Sequence, residues 1–349
     1  LSFSGICTGK GRKKFGKFRK VVKLMKDTLN REISYLRVSV TDRCNLRCRY
    51  CMPEHGVPPK THDDILSYED MLFVIKQCVS FGISRIRLTG GEPLVRKGII
   101  NFISQLRNIE GIKEINLTTN GIYLAKYAVQ LKEAGINNIN ISLDSLKEDR
   151  YRYITRCGSL RDALDGMYEA LRVGFDSVKV NVVAMKGFND DEIQDFVNLT
   201  RDHPLYVRFI ELMPIGEAAD WQKQYISSYE IQYMLSDLKE AGTNFGNGPA
   251  KYYTIDGYKG FIGFIDPVSS CFCDKCNRIR LTADGKLIPC LHSGKEVDLR
   301  PLIEKGDAEA VDRAIEATIK LKPKSHNIER ICDRTGKSES ERYMSQVGG

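Results

Sequence analysis

The chain has 349 residues, 42% of them hydrophobic and 28% charged, a composition that excludes collagenous, coiled-coil and intrinsically disordered polypeptides. No run approaches the roughly 18 consecutive apolar residues of a membrane-spanning helix. The formal charge of +8 is local: Lys10, Arg12, Lys13, Lys14, Lys17, Arg19, Lys20 and Lys23 lie in residues 1–24 with no acid, and removing these eight from 53 Lys+Arg leaves 45 against 45 Asp+Glu, so charge gives no argument for nucleic-acid binding.

Residues 1–24 read as a basic leader, expected to be disordered. They lack the apolar h-region of a secretory signal; a solvated arm, translated sequence upstream of a start at Met25, and part of an organelle transit peptide all fit. Gly11 to Lys17 matches the first seven positions of a phosphate-binding P-loop, but Phe18 stands where Ser or Thr should reach Mg²⁺ and no strand precedes it. Gly336-Lys337-Ser338 has Ile331 where the first Gly belongs. Neither is read as a phosphate site.

From there a short strand, a polar or Gly-rich turn and a helical stretch recur, the pattern of parallel βα units. Strands are expected at 36–41, 85–89, 114–118, 138–143, 178–183 and 206–210. Among the intervening helices are 68–81, with Ser67 as N-cap and Gly82 at C′, and 190–201. Each strand alternates instead of being apolar on both faces: Leu36, Val38 and Val40 with Arg37, Ser39 and Thr41; Ile86 and Leu88 with Arg85, Arg87 and Thr89; Val178, Val180 and Val182 with Lys179 and Asn181. The apolar face meets helices. A closed barrel fills its interior with branched side chains, so a polar inner face predicts an incomplete, splayed (βα)6 barrel of TIM type over residues 25–215, with a C-terminal extension, 216–349, closing its open side.

Five inward positions are basic: Arg37, Arg85, Arg87, Lys179 and Arg208. Any single one could snorkel outward or pair with a local acid. Together, with few inward acids to neutralise them, they predict a lumen for a multiply anionic substrate, and Arg suits bidentate phosphate contacts.

Eleven cysteines in a chain of cytosolic character read as metal ligands before disulfides. They cluster as Cys44-x3-Cys48-x2-Cys51, directly after the first strand, and as Cys273-x2-Cys276-x13-Cys290. Structural zinc takes four ligands and is closed, whereas a four-iron cluster held by three cysteines leaves one iron open. Zinc remains an alternative, with His55 completing the first set and Cys271 or His292 the second. Cys7, Cys78, Cys157 and Cys332 read as isolated thiols.

The run Cys44-Asn45-Leu46-Arg47-Cys48-Arg49-Tyr50-Cys51, with Gly90-Gly91-Glu92-Pro93 after the second strand, resembles the radical S-adenosylmethionine (SAM) superfamily. Thr41-Asp42-Arg43, Cys51-Met52-Pro53, Thr118-Thr119-Asn120-Gly121, Glu211-Leu212-Met213-Pro214, the stretch from Cys273 through Arg278 and Arg280 to Gly285, and the terminal Gly348-Gly349 are similar to the GTP 3′,8-cyclase family of molybdenum cofactor biosynthesis, over about residues 25–349.

That resemblance implies a 4Fe-4S cluster on Cys44, Cys48 and Cys51 that chelates SAM, with SAM contacts from Tyr50, Gly91, Ser142 and Met213. It implies a second 4Fe-4S cluster on Cys273, Cys276 and Cys290 facing guanine, and GTP contacts from Arg37, Arg87, Thr118, Lys179, Arg208, Arg278 and Arg280. Gly348 and Gly349 would reach into the site and support catalysis, where an ordinary terminus frays. Lys322-Pro323 and His326 also fit the family's tail. The implied reaction is a lyase step converting GTP to (8S)-3′,8-cyclo-7,8-dihydroguanosine 5′-triphosphate: a 5′-deoxyadenosyl radical takes H3′ and the C3′ radical attacks guanine C8. A ribose C–H is not acidic, so the step must be handed to a cofactor. The implied partners are a one-electron donor such as flavodoxin or ferredoxin, cyclic pyranopterin monophosphate synthase as recipient of the product, and a second copy in a cytoplasmic homodimer, with no nucleic acid or membrane. A peptide-modifying radical SAM enzyme with an auxiliary cluster is the competing reading; such enzymes generally carry more C-terminal cysteines, and a peptide would not call for five luminal bases. Against a zinc-containing nucleic-acid module stand the neutral body and the three-ligand count.

Overall fold

The protein is described by a computed structural model covering residues 25–58, 60–242, 248–326 and 342–348. The basic leader, Cys7, Cys332, both P-loop-like runs and Gly349 lie outside the described residues.

Strand–turn–helix units succeed one another as the alternation predicts. β1 (Tyr35–Ser39) leads to α1 (Tyr68–Ser80), β2 (Arg85–Thr89) to α2 (Ile99–Arg107), and β3 (Glu114–Thr119) to α3 (Leu124–Ala134). β4 (Asn138–Ser142) leads to α4 (Glu148–Thr155) and α5 (Leu160–Val173), β5 (Ser177–Ala184) to α6 (Ile193–Asp202), and β6 (Tyr206–Glu211) to α7 (Ser228–Met234). The six strands pair in parallel in chain order. Ser67 caps α1 by accepting from the Asp70 N–H at 3.0 Å, and Gly82 follows the helix at φ +90°. The segment expected to be helical from 190 starts as a 3-10 turn, Asp190–Glu192, and the buried Glu192 carboxylate is taken up by the Ser145 hydroxyl, the Leu146 N–H and Arg150.

The apolar strand positions, among them Leu36, Val38, Ile86, Leu88, Ile115, Leu117, Ile139, Ile141, Val180 and Val207, are fully buried. They form one core with Ile75, Phe102, Leu131, Met167 and Phe196 of the helices. Each such side chain stabilises the fold by about 1.5–3 kcal/mol relative to exposure.

The extension contributes β7 (Lys239–Glu240), β8 (Lys251–Thr254), β9 (Phe261–Ile265), β10 (Arg278–Leu281), β11 (Lys286–Ile288), β12 (Val297–Asp298), α8 (Arg300–Lys305), α9 (Ala308–Lys320) and, at the tail, α10 (Met344–Val347). It does more than cover an opening. β9 pairs in parallel with β6, and β10 in parallel with β1, so eight parallel strands run β10-β1-β2-β3-β4-β5-β6-β9 inside a twelve-stranded sheet. β11–β12 and β8–β7 add antiparallel edges. The outermost strands, β12 and β7, are not paired to each other among the described residues, so the barrel is incomplete. Residues 266–277 run from one parallel edge to the other and carry Cys271, Cys273 and Cys276. No described helix is long and apolar enough to cross a membrane.

Candidate functional site

The polar strand faces enclose a cavity of about 450 Å³, within the range of small-molecule sites. Sheet register gathers the bases. Arg280, Arg37 and Arg87 are consecutive register partners across β10, β1 and β2, and Arg278, Tyr35 and Arg85 form the row beside them. Because side chains alternate with a period of two, both rows face inward. Arg37, Arg87, Thr118, Lys179, Arg208, Arg278 and Arg280 all line the cavity. Arg85 lines it too, but Glu114 pairs with its guanidinium at 3.2 Å. Glu114, which opens β3 beside β2, is an inward acid, as is Asp144, and the two remain few against the lining bases.

Neutral oxygens hold several of the remaining bases. Arg87 donates to the Tyr35 hydroxyl at 2.5 Å and to Thr118 Oγ1 at 3.3 Å. Arg208 donates twice to Asn181 Oδ1, at 2.9 and 2.6 Å, and Lys179 donates to Ser177 Oγ at 2.6 Å. Among the described residues Arg87, Lys179, Arg208, Arg278 and Arg280 form no salt bridge with a carboxylate. Burial, then Arg280 and Arg87, depress the Arg37 guanidinium well below its ordinary value. Burial and Arg278 bring Arg280 down to about 10; burial, Arg208 and Arg87 bring Lys179 down to about 7. Such a wall favours an anionic ligand, which relieves the repulsion.

Cys44, Cys48 and Cys51 lie on the loop after β1, at the same cavity. The loop is fixed to α4 by Arg47 N–H to Thr155 O at 3.0 Å and Arg49 N–H to Ile154 O at 2.9 Å. Gly91 lets the next loop close on it: a Cβ there would meet Arg43 O at 2.4 Å. Glu92 ties the loops after β2 and β3 by accepting from Thr119 Oγ1 at 2.8 Å and the Asn120 N–H at 2.7 Å, while burial pushes its carboxyl up to about 7. Burial also raises the thiols, Cys44 to about 11, Cys51 to about 12 and Cys48 well above its ordinary value, with charge repulsion inside the triad raising Cys48 and Cys51 further. Three crowded thiols of this kind stay protonated until a cation displaces the protons, and an all-sulfur set of three fits a 4Fe-4S cluster. His55, the candidate fourth zinc ligand, is exposed and does not line the cavity. Tyr50, Gly91, Ser142 and Met213 share the cavity. Tyr50 donates to Asp144 Oδ2 at 2.7 Å, and burial raises Asp144 to about 6.

Cys273 and Cys276 on the crossing segment and Cys290 after β11 line the cavity as well. Their arms are pinned by buried cations. Arg31 donates to Cys273 O at 2.8 Å, and Lys322 Nζ donates to Arg278 O at 2.7 Å and Pro289 O at 2.9 Å. Burial raises the Cys276 thiol, but Lys322 and Arg278 outweigh it and hold it at about 7. This second all-thiol set fits a second cluster equally well.

The tail enters the site. Arg280 donates to Gly348 O at 2.6 Å and Val347 O at 3.2 Å, and the Ser345 N–H bonds Cys51. Gly348 has φ +70°, and a Cβ there would lie 2.1 Å from Thr89 Oγ1, so the position requires glycine.

Family models described as Radical SAM superfamily and Molybdenum Cofactor Synthesis C match residues 38–200 and 205–328. The chain is 50% identical over 326 residues to a protein of Alkaliphilus oremlandii named GTP 3′,8-cyclase, covering 93% of this chain and all of that one. It is 49% identical to the protein of that name from Moorella thermoacetica, at the same coverages. The chain belongs to the GTP 3′,8-cyclase family. Its fold is also similar to that of Streptococcus suis SuiB bound to S-adenosylmethionine, with a TM-score of 0.52 at 14% identity, covering 91% of this chain and 76% of that one.

Within this GTP 3′,8-cyclase family member, several site residues escaped sequence reasoning. Tyr35 lies in phase with Arg37 but just before the expected strand start; against burial, Arg87 and Arg37 pull its phenol below the ordinary value. Asn116, Asn140 and Asn181 sit on the polar strand faces and line the cavity; of these the alternation named Asn181, without a role. Arg31 left no signal, and Lys322 matched the family's tail without a role, because both act on backbone carbonyls far along the chain.

Proposed function

We propose that this chain converts GTP to 3′,8-cyclo-7,8-dihydroguanosine 5′-triphosphate, the first step of molybdenum cofactor biosynthesis, using SAM and two 4Fe-4S clusters. The observation that carries the reading is that two thiol triads open onto one cavity whose wall is cationic. Cys44, Cys48 and Cys51 would hold the SAM-binding cluster, and Cys273, Cys276 and Cys290 the cluster beside the purine. When held there, the first cluster and SAM would supply a carbon-centred oxidant strong enough to take a hydrogen atom from ribose C3′; C3′ would then bond to guanine C8, and an electron from the reductant with a proton from solvent would complete the 7,8-dihydro ring.

The chain's own residues bind, orient and exclude. Arg37, Arg87, Lys179, Arg208, Arg278 and Arg280 would bind the anionic nucleotide, with Thr118 fixed by Arg87; Tyr50, Gly91, Ser142 and Met213 would seat SAM across the cavity. Met344 and Ser345 line the cavity, Ser345 beside Cys51, while Arg280 holds the tail by Val347 O and Gly348 O, so that the tail would keep solvent from the reacting ribose. Holding the ribose within reach of the oxidant removes the entropic part of the barrier, and a displacement of about 1 Å costs roughly a hundredfold in rate.

Residues 25–215 would act as the barrel and 216–349 as the extension. A donor of flavodoxin or ferredoxin type, delivery to cyclic pyranopterin monophosphate synthase, a cytoplasmic setting and a homodimer belong to the same proposal by family membership. Anaerobic, iron-loaded protein given SAM, a reductant and each nucleoside triphosphate in turn tests the reading. Cyclised product from GTP alone is expected; an iron-poor protein after reconstitution, or turnover without nucleotide preference, overturns it.

A further inference from the structure

Cys271 and His326 have no part in either triad, yet they lie side by side. Among the described residues one set of three metal-ligating side chains has every donor atom within 4.8 Å of the others: Cys271, Cys273 and His326. Donors around one tetrahedral ion, with bonds of about 2.0–2.3 Å, stand within about 4 Å of each other. Thiolates on different irons of a cube stand further apart, and neither triad is as compact as this set. The spacing therefore suits a single ion. Cys273 belongs both to it and to the second triad.

The arms are built to meet. Arg31, buried against Asp27 at 2.5 Å, donates to Cys273 O at 2.8 Å and also to Pro323 O at 2.7 Å and Lys324 O at 3.3 Å. One guanidinium thus fixes the backbone at Cys273 and the segment that delivers His326. The His326 ring lies 5.0 Å from the His292 ring, and the Cys271 thiol contacts Cys273. Cys271 is exposed, which gives an ion a path in from solvent.

We propose that Cys271, Cys273 and His326 bind one thiophilic divalent cation, of the zinc(II) or iron(II) class, when the second cluster is absent. Two thiols release their protons to solvent, imidazole donates a lone pair, and water completes the four ligands. Because Cys273 serves both sets, the ion and the second cluster exclude each other. The site itself needs only the chain; the exclusion rests on the proposed second cluster.

The test uses the full-length chain prepared without iron, anaerobic and reduced, titrated with cobalt(II). Beyond any cobalt taken up by Cys44, Cys48 and Cys51, which Cys44→Ser identifies, one further cobalt with sulfur-to-metal charge-transfer absorption and the visible bands of a tetrahedral ion is expected. Zinc(II) displaces it and iron(II) does not, following the affinity order of divalent metals. Cys271→Ser and His326→Ala each weaken cobalt binding by roughly tenfold or more, at least what loss of a supporting group costs, while Cys276→Ser and Cys290→Ser leave it unchanged. The exposed position of Cys271 means that its serine variant does not threaten folding. Wild-type affinity in Cys271→Ser and His326→Ala, or an equal loss in Cys276→Ser, overturns the proposal. Rebuilding the second cluster in cobalt-loaded protein should release the cobalt. Cobalt retained beside an intact second cluster contradicts the shared Cys273, whereas failure of that cluster to form in metal-free protein contradicts the cyclase reading and leaves the ion site standing.

Discussion

Replacing Gly348 by alanine tests whether the docked tail is part of the site. Two costs can be read from the structure. The residue has φ +70°, where an L side chain costs about 1–2 kcal/mol. The new methyl would also stand 2.1 Å from Thr89 Oγ1 and 3.2 Å from Thr89 Cβ. Thr89 cannot easily yield, because it is buried in β2 and its hydroxyl donates to Val38 O at 3.3 Å. The tail must move instead, giving up the Arg280 bonds to Gly348 and Val347. The backbone cost alone lowers the equilibrium constant for docking by about 5–30-fold, and the contact adds to it. Cyclised product per minute should fall as the undocked tail becomes populated, with both clusters retained, and carboxypeptidase should trim the C-terminus faster. Adding Thr89→Ala removes the oxygen contact but not the backbone strain, so it should restore part of the rate. A Gly348→Ala enzyme with wild-type turnover and wild-type resistance to carboxypeptidase would refute the role given to the tail.

Lys179 gives a pH dependence. Its ammonium is held at about 7 by burial and by Arg208 and Arg87, with Glu114 acting in the opposite sense. A bound triphosphate raises that value, so above about pH 7 binding must take up a proton, and KM for GTP should rise by up to about tenfold per pH unit. Lys179→Arg should flatten the profile; a flat wild-type profile contradicts the assignment. The double substitution Arg278→Ala, Arg280→Ala should abolish product with both clusters intact by iron and sulfide analysis, and normal turnover would sink the triphosphate assignment. Tyr50→Phe removes the 2.7 Å bond to Asp144 and should weaken SAM binding by about 1 kcal/mol, read as a roughly fivefold higher Kd by calorimetry. Arg31→Met leaves Asp27 buried without its 2.5 Å partner and should cost about 3–5 kcal/mol of stability, measured by denaturant unfolding.

The barrel strands were legible because one face packs on helices and the other lines a cavity, which forces a period of two through residues such as Leu36, Arg37 and Val38. The bases were legible for the same reason. Arg85 faces the lumen as expected, but its neutralising partner, Glu114, comes from the next strand in register, a relation that periodicity does not carry. The parallel pairing of β9 and β10 with the barrel edges was not legible either. β9 contains Gly263, which reads as a weak strand position, yet it is opposite Arg208 in register, and a Cβ there would lie 3.0 Å from Arg208 Cγ and 2.9 Å from the Tyr252 ring. The glycine makes room for the arginine, so a local liability serves a distant side chain. Cysteine spacing exposed both triads, but not the juxtaposition of Cys271 with His326, which depends on how Arg31 holds two segments far apart in the chain.

The central claim is that one cavity brings an oxidant generated at Cys44, Cys48 and Cys51 to the ribose of a nucleotide held by the arginine wall. The most direct measurement gives anaerobic enzyme GTP deuterated at C3′, with SAM and a reductant, and follows the label by mass spectrometry. Deuterium should pass into 5′-deoxyadenosine in step with loss of GTP and gain of the cyclised triphosphate. Unlabelled 5′-deoxyadenosine formed at the same rate with or without GTP would contradict the account.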